Sequence, residues 1–359
     1  MINKNLTVLL LAQIFSFTAA PITVFLSGII GSTMIENKSL ATLPAALMIV
    51  GTATGSIFAS YIMSVKGRKF GFMFATIVTS LFSLIASYSI YENIFLIYCL
   101  SNLFIGVGHA FVNQYRFAAA ESVAKEYAPS AISFILFASM IGALIGPNVA
   151  NVTKFVIPNV IYSGSYIFLS ILTIIPFFFF LFFFNEEDEL TNEKKYYKGR
   201  SFLELLLQPK FTQAVVASGL AYCIMSFLMT ATPISMHMHN NITLGKTSIV
   251  ITSHILAMFL PSLITGNLIK RFGNNKIMCA GALVLLCSIF LNFIDQSFLN
   301  YFIGLILLGL GWNFLFISGT SLLMSSYISE EKFRAQGLND FIIFSTQALG
   351  ALSAGVLLN

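Results

Sequence analysis

Apolar stretches of about twenty residues follow one another along almost the whole chain, with only short polar turns between most of them; that length is what a helix needs to cross a bilayer. Composition agrees. Of the 359 residues, 57% are hydrophobic and 9% are charged, whereas a soluble chain carries about 25% charge. Such a chain cannot cover a water-facing surface, so its solvent is the lipid bilayer. The 37 Phe suit helix faces turned to lipid. The fold class is therefore all-α, a polytopic membrane protein.

Eleven spans can be marked, roughly at 6–30, 42–64, 70–89, 94–118, 130–152, 161–184, 211–235, 248–269, 277–294, 299–325 and 335–358. The one long polar interruption holds Glu186-Glu187-Asp188-Glu189 and Lys194-Lys195. It divides the chain into an N-terminal six-helix bundle (1–184), a linker (185–210) and a C-terminal bundle of five helices (211–359). With the N-terminus inside, 16 of the 19 Lys and Arg fall in inside connections and only Lys38, Lys154 and Lys246 outside. That bias gives a cytoplasmic N-terminus. The first span begins like a leader, with Lys4 and Ala19-Ala20. It is too long for one, and part of it recurs in the seventh span.

Recurrence runs through the whole chain, at offsets of 203 to 212 residues. Thr18-Ala19-Ala20-Pro21-Ile22 returns as Thr230-Ala231-Thr232-Pro233-Ile234. The basic turn Val65-Lys66-Gly67-Arg68-Lys69 returns as Arg271-Phe272-Gly273-Asn274-Asn275. Gly106-Val107-Gly108 returns as Gly309-Leu310-Gly311, Ser130-Ala131 as Arg334-Ala335, and Gly146 as Gly350. Two homologous halves in the same order within a membrane protein point to a transporter, with its site where the halves meet.

The repeated turns resemble the inside turn of the major facilitator superfamily, Gly-x-Leu-x-Asp-Arg-x-Gly-Arg-Arg/Lys. The second copy keeps Gly266, Leu268, Arg271 and Gly273; the first keeps Gly67, Arg68 and Lys69. Neither has the family's Asp, since Ser64 and Lys270 stand there. Gly142-x-x-x-Gly146-Pro147 is similar to the family's antiporter motif, and equally to plain close packing of helices. Gly106-x-Gly108-x-Ala110 is similar to its fourth-span motif, with Asn102 where the family's Arg would be. Tyr115-Arg116-Phe117, Trp312-Asn313-Phe314 and Gln336-Gly337-Leu338-Asn339-Asp340 resemble a bacterial branch that includes proteobacterial riboflavin transporters. The resemblance implies a fold of two pseudo-symmetric bundles, a cavity lined by spans one, four, seven and ten, and alternating access. It also implies twelve spans, so the twelfth is read as missing.

On that frame the substrate-cavity candidates are Gln13, His109, Asn113, Gln114, Tyr222, Trp312 and Asn313, with His109 opposite Trp312 by repeat position. Pro21, Pro147 and Pro233 are candidate helix bends, since proline frees a backbone carbonyl. The inner gate is assigned to Gly67, Arg68, Lys69, Arg116, Glu121, Gly266, Arg271, Gly273 and Asp340. Ionisable groups in spans are costly and functional by default, which makes Asp340, His109 and His254 candidates for proton coupling. His237 and His239 are expected to be solvated. Cys99, Cys223, Cys279 and Cys287 fall in apolar runs without metal spacing, so no metal and no cofactor is expected. The alternative from a different class is an integral membrane sensor or enzyme, for which four scattered histidines supply no catalytic cluster. The expected function is secondary transport of a small organic solute, by symport or antiport, with a drug or metabolite exporter as the alternative. The expected setting is a monomer in the bacterial inner membrane, in contact with lipid and solute but no nucleic acid.

Overall fold

The computed structural model describes residues 2–37, 40–186, 199–236, 242–294 and 297–357. Lys38, most of the linker's charges (Glu187, Asp188, Glu189, Lys194, Lys195, Lys198), His237 and His239 lie outside the described residues. Within them the chain is helical and has no strand. The helices are α1 (Lys4–Ser16), α2 (Ala19–Met34), α3 (Leu43–Tyr91), α4 (Phe95–Asn113), α5 (Tyr115–Glu121), α6 (Ala128–Thr153) and α7 (Ser163–Phe183). They continue as α8 (Phe202–Leu206), α9 (Pro209–Ile234), α10 (Leu244–Phe259), α11 (Ser262–Phe272), α12 (Asn274–Ile294), α13 (Phe298–Met324) and α14 (Lys332–Leu357).

Nine helical segments among the described residues are long and apolar enough to cross a membrane. These segments match the eleven expected spans one for one except at two of them. The expected second and third spans form one 49-residue element, α3, and α14, with Lys332, Arg334 and Asp340 in its early turns, is not among the nine. At about 1.5 Å per residue, α3 is more than twice as long as the hydrocarbon core is thick. It is also not continuous: Gly67 has φ 82 and ψ 167. Gly273, just after α11, has φ 85 and ψ 159. A side chain would be strained at either position, so the two basic turns share one backbone conformation.

Contacts divide the chain into two compact units. One holds Met1–Ser122, Ile141–Gly199 and Ser329–Phe341; the other holds Val123–Met140, Arg200–Ile328 and Ile342–Asn359. Each is mostly one half of the sequence plus the first turns of a helix from the other half. The early part of α14 belongs with the first unit and the early part of α6 with the second.

In the first unit α4 lies against α3 through small residues. A β-carbon on Gly106 would run into the Met48 carbonyl, and one on Gly108 into Thr79 Oγ1. Thr52 Oγ1 donates to the Gly106 carbonyl at 3.2 Å. The second unit repeats this at the expected offsets. A β-carbon on Gly309 would lie 2.7 Å from the His254 carbonyl, and one on Gly311 2.8 Å from Leu285 Cγ. His254 and Leu285 each stand 206 residues after Met48 and Thr79. The repeated Gly-x-Gly is thus a packing device: its two glycines meet α3 before and after Gly67 in the first unit, and α10 and α12 in the second.

α7 covers α1 and the later part of α3. Ser80 and Ser170 share a hydrogen bond of 2.7 Å, Ser87 and Ser163 one of 2.8 Å, and Phe15 meets Phe179 at 5.9 Å. In the second unit the repeat counterparts of Phe15 and Ser83, namely Phe227 and Ile289, line an apolar groove of about 400 Å³ with Cys223, Asn292 and Phe293. Phe293 is 84% exposed and Phe182 65%, which suits lipid-facing helices. Between α1 and α2 the helix is interrupted at Phe17 and Thr18, where Pro21 cannot donate to the Phe17 carbonyl.

These contacts set a prediction. Gly106→Ala and Gly309→Ala should each lower stability by about 1–3 kcal/mol through overpacking. Gly245→Ala, at a glycine whose added β-carbon would meet nothing within 4 Å, should not. Thermal unfolding in detergent checks the difference.

Candidate functional site

The strongest concentration of buried charge lies in the first unit, where α5 meets the early turns of α14. Arg116 is 2% exposed and Asp340 0%. Arg116 Nη2 donates to Asp340 Oδ1. Gln114 Nε2 donates to Oδ2 at 2.8 Å and Asn339 Nδ2 to Oδ1 at 2.8 Å, so both carboxylate oxygens are engaged. Arg116 Nη1 also donates to the Asn113 carbonyl, which frees up because the helix steps from α4 to α5 at Gln114. The guanidinium carbon lies 4.3 Å from the centre of the Phe117 ring. An unpaired charge here would be prohibitive, and a paired, hydrogen-bonded one is tolerable.

A second cluster surrounds the first basic turn. Arg68 Nε and Nη2 donate to Glu121 Oε2 and Oε1 at 3.0 and 2.7 Å, a bidentate pair. Arg68 Nη2 also donates to Gln336 Oε1 at 2.8 Å, and Gln336 Nε2 donates to Glu121 Oε1 at 2.9 Å, closing a three-residue ring. Lys332 Nζ stands 4.0 Å from Glu121 Oε2. The Phe333 ring lies 5.1 Å from the guanidinium carbon of Arg68, and the Phe333 carbonyl accepts from Ser60 Oγ. A β-carbon on Gly337 would lie 2.5 Å from Ser60 Cβ. The first turns of α14 are therefore held on α3 and α5 by both charge and close packing.

The second turn is built differently. A β-carbon on Gly266 would lie 2.5 Å from Ser130 Cα and 2.8 Å from Ser133 Oγ. Lys270 Nζ lies 4.3 Å from the Tyr127 ring, and Arg271 sits in the last turn of α11, where the helix dipole favours a cation. No carboxylate pairs with either among the described residues.

The remaining candidates separate by unit. His109 lines a cavity of about 10 Å³ with Ser16, Thr76, Thr79 and Thr173, room for about one water. Its Nδ1 has no protein partner, and its ring lies 5.5 Å from that of Phe17. Gln13 is buried nearby on α1. Trp312 is 2% exposed within an aromatic cluster of the second unit. Its ring centre lies 5.0 Å from Phe316, 5.2 Å from Tyr222 and 5.9 Å from Phe259, and Tyr222 lies 5.6 Å from Phe344. The indole Nε1 has no protein partner.

Asn313, a cavity candidate, uses its amide to tie α13 to its neighbours. It accepts from Thr265 Oγ1 at 2.7 Å, and its Nδ2 contacts the Met258 carbonyl and Ser262 Oγ at 2.7 Å each. Asn113 bonds back to the His109 carbonyl at 3.0 Å. His254 Nδ1 contacts the Leu305 carbonyl at 2.8 Å, a link between α10 and α13. A β-carbon on Gly142 would lie 2.6 Å from the Ile14 carbonyl, and one on Gly146 3.1 Å from the Thr18 carbonyl. These two glycines of α6 are packed on the interruption between α1 and α2, and Pro147 follows them inside the helix. Pro233 lies one residue before the end of α9.

Sequence reasoning missed Gln336, Asn339, Ser60 and Glu186. Gln336 and Asp340 are four apart on α14, which puts them on one face; that spacing is the signal that could have found the first. Nothing in the sequence pairs Ser60 or Glu186 with its partners.

Comparison with known proteins adds to this geometry. The sequence profile of the Major Facilitator Superfamily matches residues 6–351. The riboflavin transporter RfnT of Brucella anthropi is 32% identical over 357 residues, 99% of this chain and 89% of that one. An uncharacterised transporter of the same type from Bacillus subtilis, YdeG, is 28% identical over 370 aligned residues, 99% of this chain and 86% of that one. The crystal structure of the human organic anion transporter MFSD10 superposes with a TM-score of 0.77 at 13% identity, over 99% of this chain and 93% of that one.

Removing one partner of a buried ion pair costs about 3–5 kcal/mol, while apolar replacement of both can be neutral. Asp340→Asn should therefore destabilise the protein far more than Arg116→Met with Asp340→Leu. Unfolding of the single and double variants in detergent measures it.

Proposed function

The chain belongs to the Major Facilitator Superfamily and carries a small solute across a membrane, and from that premise we propose that its solute is planar and aromatic, riboflavin or a molecule of that class. It is a multi-pass transporter and not an enzyme. The observation that carries the solute class is the cluster of Trp312, Tyr222, Phe259, Phe316 and Phe344, with an indole N–H that has no protein acceptor. Aromatic faces favour flat rings, and a buried N–H favours a solute acceptor such as a ring carbonyl. The RfnT relative supports the same class.

Transport is secondary and proceeds by alternating access, the halves 1–184 and 211–359 moving about the linker 185–210. The early turns of α14 must leave Arg116, Arg68 and Ser60 for their end of the protein to open. Proton coupling runs through Asp340, His109 or His254. The protein works as a monomer in the bacterial inner membrane with its N-terminus in the cytoplasm, as the 16 inside cations support. Export as an antiporter draws no separate support from Gly142 and Gly146, whose contacts are those of packing.

Proteoliposome flux tests this. Riboflavin should accumulate under an imposed pH gradient, and Trp312→Ala should weaken binding about three- to tenfold, the range of one aromatic pair. Trp312→Phe should lose less. Equal affinity in both variants would remove the cluster from recognition. Unchanged pH-driven accumulation in His109→Ala, His254→Ala and Asp340→Asn would end the coupling assignment.

A further inference from the structure

The first basic turn lacks an acid of its own, Ser64 standing where one is expected. The chain supplies two others, and the second comes from the connection between the halves. Glu186 Oε1 accepts from the backbone N–H of Arg68, and Oε2 accepts from that of Lys69 at 3.3 Å. These are the first free N–H groups of the helix that restarts after Gly67. A β-carbon on Gly67 would run into this carboxylate, so the absence of a side chain admits Glu186 as well as allowing φ 82. The residue before it is fixed too. Asn5 Nδ2 donates to the Asn185 carbonyl at 2.7 Å, and Asn185 N–H donates to Asn5 Oδ1 at 3.0 Å. The chain leaving α7 is thus fastened to α1 and then to the turn, along a cleft of about 380 Å³ that Arg68, Ala118, Glu121, Glu330 and Lys332 also line.

We propose that Glu186 is a positioning residue for the gate: by capping the helix that begins at Arg68, it fixes the guanidinium that holds Glu121 and Gln336, and so joins the linker between the halves to the closure of this end. The cap is one-sided. At the second turn, a β-carbon on Gly273 would have open space, and α12 has no acid in its first turn. The carboxylate is exposed, so its hold weakens as salt rises. A shift of residues 185 and 186 would release the arginine from its backbone side without touching the buried Arg116–Asp340 pair.

The proposal rests on the alternating-access reading, and its test reads the gate without any solute. With Cys99, Cys223, Cys279 and Cys287 replaced by Ser, a reporter is placed by Ala118→Cys, a position 4% exposed that lines the cleft. Labelling by a water-soluble maleimide is timed in detergent at low and high KCl. Glu186→Gln should label about two- to fivefold faster at low salt, the range of one charge at a helix terminus. High salt should speed the parent protein more than Glu186→Gln and so narrow the gap between them. Glu330→Gln, which alters an acid of the same cleft, should label as the parent does. A Glu186→Gln rate equal to the parent's, a parent rate indifferent to salt, or an equal rise in Glu330→Gln would each overturn the assignment. Riboflavin flux in the same variants separates the two readings. Faster labelling with no flux in any variant would sink the transport reading and keep the gate, while normal flux with unmoved labelling would do the reverse.

Discussion

A carboxylate and a guanidinium with almost no access to water face each other where α5 meets α14, and the path of the chain around them follows from that. Asp340 and Arg116 lie 224 residues apart in sequence, in opposite halves, yet neither could be left alone in an apolar interior. Burying one unpaired charge costs more than any single packing contact returns. The early turns of α14 must therefore sit with the first unit, and α14 changes unit at Phe341, directly after Asp340. Gln114, Asn339 and the step at Asn113 complete the hydrogen bonds that make the pair tolerable.

The repeat is the second constraint, and its members divide into two kinds. Gly106 and Gly309, Gly108 and Gly311 keep the same neighbours at the same offset, so they are fixed by helix packing alone. The two seams near the basic turns keep the contact but exchange its parts. In the first unit Ser60 of α3 meets Gly337 of α14; in the second Gly266 of α11 meets Ser133 of α6. Ser60 and Gly266 are repeat counterparts, as are Ser133 and Gly337. Each seam needs one residue without a side chain for the backbones to meet, and it does not matter which helix supplies it. A glycine kept at only one of two repeat positions is therefore no sign that the other contact is lost.

Much of this was legible from the residues. Composition gave the membrane class, and the positive-φ glycines at 67 and 273 sat in the turns where the repeat put them. The expected second and third spans form one element, α3, with the break between them confined to Gly67. The site was legible by residue type and less so by partner. Arg116, Glu121 and Asp340 were marked as costly charges, and Arg116 and Asp340 are indeed buried. Which acid met which base depended on the meeting of helix ends distant in sequence, which periodicity does not encode. Asn313 is a buried amide in reach of Thr265, Ser262 and the Met258 carbonyl, and it bonds all three. His109 and Trp312, paired by repeat position, occupy unlike surroundings, one among hydroxyls and the other among rings, because the residues around them diverged while the packing glycines beside them did not.

That divergence separates the two seams energetically. The first carries Arg68, Glu121, Gln336, Lys332 and the cap from Glu186, together with the buried pair beneath. The second carries a glycine contact, a lysine against Tyr127 and a weak bond between Ser130 and Asn267 at 3.4 Å. Parting the second exposes small apolar and polar surface and strands no charge. Parting the first separates ion pairs that must be rehydrated or re-paired, a barrier that depends on ionic strength near the surface and on burial deeper in. Two homologous seams have thus been given unequal strength, and the stronger is the one reached by the chain that links the halves. A change at the second seam therefore alters packing, whereas a change at the first also alters which charges have partners.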